Sequence, residues 1–303
     1  MSVHRIAHDG ASLEGANSTY VLPDRGVVID PGPPGETAWR TLRDGLGDGC
    51  GLDAVDHVLV THWHIDHAGL APRLAEAADA SLHLHESDAA LVGEYDRERK
   101  QRLVRDKQRL ERWGVPSDIV AAVIDNDRPS PLPASFPTES HTDGEEIAGL
   151  RLLHTPGHTL GHAAFHTERA LFVGDAVLPT YTPNVGGSDT RVENALATYE
   201  RTLERLREYD ITPYPGHGAD VDLSSRIDEI RDHNATRAET IKTVVDDAGP
   251  VTPWEIATDL FGEMNGIHAK MGTGEVVAHL SHLESVGDIE RVGTTPLRVS
   301  LLP

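Results

Sequence analysis

Cysteine is almost missing from this chain: Cys50, set between Gly49 and Gly51, is the only one. A lone thiol forms no intramolecular disulfide and has no second thiolate with which to build a cysteine metal site. Cys50 therefore reads as a loop thiol. Lysine is scarce as well, with Lys100, Lys107, Lys242 and Lys270 the only four among 27 basic residues. No stretch approaches the roughly 20 consecutive apolar residues that a membrane span needs. The opening Met1-Ser2-Val3-His4-Arg5 carries no apolar signal segment, and the expectation is a soluble, cytoplasmic protein with no membrane partner. Internal repeats and low-complexity tracts are absent too, which removes solenoid and linker architectures.

What is abundant is negative charge. Asp and Glu number 49, for a net charge of −22. With so little lysine, this pattern suggests a halophilic surface, adapted to high salt. Such a surface repels polyanions, so nucleic acid is disfavoured as a partner, though high salt screens that repulsion.

At 303 residues the chain has room for one large α/β domain and a small appendage. Apolar runs end in unusual loops: Val27 to Asp30 before Pro31-Gly32, and His57 to Val60 before Thr61-His62. Functional groups at strand ends are typical of α/β enzymes. Further strands are expected at Ser81 to His85, Leu150 to His154, His162 to Thr167 and Ala170 to Gly174. Helical spacing predicts helices over Gly69 to Ala78, Ser87 to Trp113, Asn194 to Tyr209 and Ser224 to Asp247. Four prolines between Arg128 and Pro137 mark an irregular connection that closes a helical insert. After Gly249-Pro250 a helix starts at Thr252-Pro253, a second covers Glu275 to Val286, and two short strands follow. The expected division is a catalytic domain over 1–220 with its insert at about 87–137, a connecting helix over 221–249, and a winged-helix-like domain over 250–303.

The densest chemistry lies in Thr61-His62-Trp63-His64-Ile65-Asp66-His67, three imidazoles and a carboxylate directly after a strand. That is the donor set of zinc and related divalent ions, and His62 and His64 can face one ion while Asp66 and His67 face another. His158 in Pro156-Gly157-His158, Asp175 in Gly174-Asp175 and His217 in Pro215-Gly216-His217 follow strand-like or turn sequences. Their glycines and prolines place each on a fixed, tight turn.

These motifs, in this order, resemble those of the metallo-β-lactamase superfamily over roughly residues 15 to 220. The resemblance implies an α/β fold, a four-layer αββα sandwich, here with a helical insert and a small C-terminal winged-helix-like α+β domain. It implies that His62, His64 and His158 bind one ion, that Asp66, His67 and His217 bind a second, and that Asp175 bridges them. Asp30 matches the family's first motif and is implied to orient ligands by hydrogen bonding. His162 is expected in a supporting role. His83 and His85 share one face of a strand, but such histidines are usually packed or solvated, and they stay outside the ligand set.

Two ions a few ångströms apart can share a bridging water, lower its pKa and clamp the oxygens of the reacting centre. The expectation is a hydrolase that uses a metal-bridging hydroxide, with Asp66 orienting or receiving the proton. Asp175 stands where true β-lactamases often have a cysteine or no bridging carboxylate, which argues against antibiotic hydrolysis. His64 stands where the flavodiiron proteins have glutamate, which argues against oxygen reduction. The full set is similar to that of hydroxyacylglutathione hydrolases, lactonases, polyketide thioesterases and lactamase-β-like endoribonucleases. A small ester, thioester or lactone is the expected substrate, an endoribonuclease the runner-up, and a mononuclear-iron sulfur dioxygenase a more distant alternative. Zinc is the first expectation for the two ions, with manganese or iron able to occupy the same donors.

Tyr181 and Asn184 follow the bridging position and can donate to a substrate oxygen, or else pack their loop. Arg97 to Arg112 holds eight basic residues against Glu98, Asp106 and Glu111. It reads either as a holder of an anionic substrate handle or, more simply, as a solvated helix with internal ion pairs. From Val251 onward Lys270, Arg291 and Arg298 face seven acidic residues, so that module is better suited to walling the site or forming a homodimer than to binding nucleic acid.

Overall fold

A computed structural model of the chain describes residues 2–8, 15–49 and 51–302; Cys50 lies outside them. β1 (His4–His8), β2 (Asn17–Leu22) and β3 (Val27–Ile29) pair antiparallel, and β4 (His57–Leu59), β5 (Ser81–His85) and β6 (Glu139–His141) add on in parallel. Parallel neighbours need crossover connections. These are α1 (Glu36–Gly49) between β3 and β4, then α2 (Ile65–Ala68) and α3 (Ala71–Ala78) between β4 and β5. Side chains alternate along each strand. Val28, Val58, Val60, Leu82 and Leu84 thus face Trp39, Leu42 and Leu46 of α1 and Leu74 of α3.

The opposite face carries Tyr20, Leu22, Ile29 and Leu59, and these meet Leu150, Leu152, Phe165 and Phe172 of a second sheet in one buried cluster. That sheet runs β11 to β7 in spatial order: β7 (Glu146–Ile147), β8 (Leu150–His154), β9 (Ala163–His166), β10 (Ala170–Gly174) and β11 (Thr212–Pro215). The fold is the expected mixed α/β class, with two sheets packed face to face and helices on the outer face of the first.

The single helix expected from Ser87 to Trp113 is two: α4 (Glu86–Gly93) and α5 (Tyr95–Arg112). The Gly93 carbonyl accepts the Phe136 N–H at 2.9 Å, and Glu94 leaves helical geometry at φ −128°, ψ 44°. A contact from a segment far along the chain breaks the helix. Residues 127–138 carry no regular structure, as their prolines require.

Residues Met1–Arg99, Pro129–Pro183 and Arg205–Ile227 form one compact unit, and Lys100–Arg128, Asn184–Glu204 and Asp228–Pro303 form another. The second contains α6 (Ser117–Asn126), most of α5, of α7 (Ala195–Arg207) and of α8 (Leu223–Ala248), then α9 (Pro253–Phe261) and α10 (Ile267–Val286), and a hairpin of β12 (Ile289–Thr294) and β13 (Leu297–Leu301). Thr252 and Glu255 form a reciprocal capping box that starts α9. Leu110, Trp113, Val120 and Val123 share a core with Ile241, Ile256, Val276, Leu280 and Val299. The basic helix α5 is ion-paired: Arg102 reaches Asp127 at 2.8 Å, and Asp106 accepts from buried Lys270 at 2.7 Å and from Thr190 at 2.6 Å. Among the described residues no helix is long and apolar enough to cross a membrane.

Candidate metal centre

The seven expected ligands all lie in the first unit, on loops that leave strand ends. Thr61 and His62 follow β4, and His64 caps α2, whose first turn holds Asp66 and His67. His158 follows β8, Asp175 follows β10, and His217 follows β11. Close backbone approach makes this convergence possible. Gly174 has φ +51°, and a Cβ there would lie 2.8 Å from both His162 Nε2 and Thr61 Oγ1. At Gly216 a Cβ would collide with Asp175 Oδ1.

His62 Nε2 and His158 Nε2 each lie 3.0 Å from His64 Nδ1. His67 Nε2 and His217 Nε2 are 3.3 Å apart, and Asp66 Oδ2 lies 3.6 and 3.4 Å from them. Asp175 Oδ2 stands between the two groups, 3.3 Å from His67 Nε2, 3.4 Å from His217, 3.9 Å from His158 and 4.0 Å from His62. Tetrahedral metal bonds of about 2.1 Å would put donor atoms about 3.4 Å apart, close to these spacings.

The outer ring atoms show which way the inner ones point. Thr61 gives its hydroxyl proton to Asp30 Oδ2 at 2.7 Å, so its oxygen accepts from His62 Nδ1 at 3.1 Å. Asp30 Oδ2 also accepts from His67 Nδ1 at 3.0 Å, and the Gly15 carbonyl accepts from His217 Nδ1 at 3.2 Å. Each of these rings thereby turns its Nε2 lone pair inward. A single His64 Nδ1 can satisfy only one of its two imidazole neighbours. Among the described residues the buried Asp175 Oδ1 has no hydrogen-bond partner. Converging lone pairs and an orphaned carboxylate oxygen fit a bound cation.

Electrostatics agree. Burial, then the neighbouring rings, lowers His62 well below its ordinary pKa and His64 to about 3, leaving both neutral as ligands must be. Burial also opposes charge on His67 and His217, but the carboxylates outweigh it. Asp175 and Asp66 raise His67, and they raise His217 to about 10. The carboxylates demand positive charge, which protons or a divalent ion can supply.

His62, His67, His158, Asp175 and His217 are buried, while His64 and Asp66 form the more open side, Asp66 with 36% of its side chain exposed. Asp30 is buried and accepts the Thr61 N–H at 2.7 Å through Oδ1. His162 lies beneath Asp175, whose backbone N–H it accepts at 3.1 Å while its Nδ1 meets Thr155 Oγ1 at 2.7 Å. Two organising residues were not apparent in the sequence. Asn17 donates to Asp66 Oδ2 at 3.1 Å. Fully buried Asp88 accepts from the N–H groups of Trp63 and Gly161 and from Thr159 Oγ1, tying the His62 loop to the His158 loop. Tyr181 is exposed, whereas Asn184 donates to the Met271 carbonyl and accepts the Ser188 N–H, which holds its own loop.

The metallo-beta-lactamase superfamily model matches residues 12–218, a span that contains all seven groups. The Bacillus subtilis protein named "Probable metallo-hydrolase YqjP" is 26% identical over 280 residues, 88% of this chain and 86% of that one. An atrochrysone carboxyl ACP thioesterase of Aspergillus fumigatus is 26% identical over 275 residues, 83% of this chain and 70% of its own length. In several other curated relatives the match spans about half to three fifths of the protein. A metallo-beta-lactamase family protein from Thermus thermophilus superposes with a TM-score of 0.80 at 29% identity, covering 99% of this chain and 98% of that one.

Proposed function

Since the chain belongs to the metallo-beta-lactamase superfamily and is a metal-dependent hydrolase, we propose that its site holds two divalent ions and hydrolyses a small ester, thioester or lactone. The observation that carries this reading is the position of Asp175 Oδ2, within 3.3 to 4.0 Å of Nε2 of His67, His217, His158 and His62. One carboxylate oxygen faces two ligand groups. His62, His64 and His158 would hold one ion, Asp66, His67 and His217 the other, with Asp175 shared. Zinc suits this donor set first, and manganese or iron can replace it. Ions bound there supply Lewis acidity, lowering the pKa of water and polarising the bond under attack.

The protein's own groups do the rest. Asp66, on the open side, orients the attacking water and receives its proton, while the Asn17 amide fixes the carboxylate. Asp30 and His162 hold His67 and the Asp175 backbone in place. Tyr181, an exposed residue that follows the Asp175 loop in sequence, is the candidate donor to a substrate oxygen. The thioesterase names among the relatives support a thioester, and the charge of −22 weighs against a polyanion.

The test is elemental analysis of freshly purified protein, together with turnover of a thioester, a lactone and a single-stranded RNA at high salt. About two zinc or manganese ions with ester or thioester turnover carry the proposal. Cleavage of RNA alone would make the chain an endoribonuclease, and a single iron without hydrolysis would put a sulfur dioxygenase in its place.

A further inference from the structure

Away from the seven-residue site, the first unit holds a second group of metal-type donors on strands β5 and β6. His83 pairs in register with Glu139, and His85 with His141. His83 shares a strand face with Leu59, its partner on β4, so it points towards the second sheet. His83 Nδ1 lies 3.0 Å from His141 Nε2 and 3.6 Å from Glu139 Oε2. The three donor atoms all lie within 4.8 Å of one another. These separations bracket the edge of about 3.4 Å expected between ligand atoms around tetrahedral zinc.

The outer atoms of both rings are already engaged. His141 Nδ1 donates to Glu145 Oε2 at 2.9 Å, and Glu145 is itself fixed by the N–H and hydroxyl of Thr142 at 3.3 and 3.2 Å. His83 Nε2 lies 3.0 Å from His57 Nδ1. Metal-binding imidazoles usually donate their other N–H to a carboxylate or similar acceptor, and here both rings have such a partner. His83 is buried, His141 is nearly so, and Glu139 is 57% exposed. A fourth position therefore opens to solvent.

We propose that His83 Nδ1, His141 Nε2 and the Glu139 carboxylate form an additional mononuclear site for a zinc-type divalent cation, with water as the fourth ligand. No residue of this site belongs to the hydrolytic centre. β6 is a three-residue edge strand that follows the irregular segment 127–138. An ion shared by β5 and β6 would pin that strand in register, so the site acts as a structural clamp.

The experiment uses the full chain, stripped with chelator, reloaded with Zn²⁺ and desalted. The parent is expected to retain about one zinc per chain more than either His141→Ala or Glu139→Ala, with hydrolytic turnover unchanged. Glu139→Ala removes an exposed side chain and keeps the fold should His141→Ala fail to do so. Glu145→Ala should still bind the ion, but with an affinity about 10 to 100-fold weaker in chelator competition, because only the orienting acceptor is lost. Equal zinc content in the parent and both alanine variants overturns the proposal and leaves His57, His83 and His141 as a chain of hydrogen-bonded imidazoles. The comparison is a difference between variants, so it stands whatever the hydrolytic centre binds.

Discussion

Asp30 Oδ2 lies 3.0 Å from His67 Nδ1, and the same carboxylate accepts both donors of Thr61 at 2.7 Å. It thus sets a ring on α2 and, through the Thr61 hydroxyl, the tautomer of His62. Asparagine at position 30 keeps the size and tolerates φ 50°, but it brings an N–H₂ where three donors already point. Asp30→Asn should weaken metal binding about 10 to 100-fold. Competition with a chromogenic chelator reads this, and an unchanged affinity would remove Asp30 from the orienting role.

Asp66 occupies the open side of the cluster. Asp66→Asn should retain part of the metal and lose about 10² to 10⁴ in kcat, the range of a general base. Normal metal content with normal turnover would assign the proton to another group.

In the second unit Lys270 and Asp106 form a buried pair at 2.7 Å, with 4% and 3% of their side chains exposed. Removing one partner strands the other. Asp106→Leu should cost about 3 to 5 kcal/mol in chemical denaturation, and adding Lys270→Met should recover most of it. A double variant no better than the single one would show that Thr190 and Arg102, not the lysine, are what Asp106 serves.

Burial, then the nearby Arg237, His233 and His282, holds His279 at a pKa of about 3, against about 6.5 in the unfolded chain. The folded value is the lower one, so the unfolded chain takes up the extra proton. Stability from this group is complete above about pH 6.5 and falls towards pH 3, by up to about 1.4 kcal/mol per pH unit. The Tm of His279→Gln should decline less steeply than that of the parent between pH 6.5 and 4. Parallel curves would show that the acid limb belongs to other groups.

The candidate ligands were legible because they are unusual residues packed into short, turn-flanked motifs, three histidines and an aspartate between positions 62 and 67. Asn17 and Asp88 were not. Each is a single polar residue at a strand start or in a helix turn, and each acquires its role only when distant loops arrive. The same limit applies to helix ends. The break at Gly93 depends on Phe136. α10 begins at Ile267 rather than Glu275 although Gly272 and Gly274 lower helix propensity, because Gly274 packs directly on the backbone of Gly187. His83 carried no signal as a lone strand histidine, and only the register of β5 with β6 brings it to His141 and Glu139.

The core of the second unit joins Leu110, Trp113, Val120 and Val123 to side chains from α8, α9, α10 and β13, with β7 to β11 of the other unit intervening in the chain. On the ribosome, those early apolar groups must wait uncovered until the last helices emerge. A product that stopped after His217 would carry all seven candidate ligands yet leave a greasy strip along α5 and α6. In this chain the last candidate ligand comes well before the side chains that complete the second unit's core.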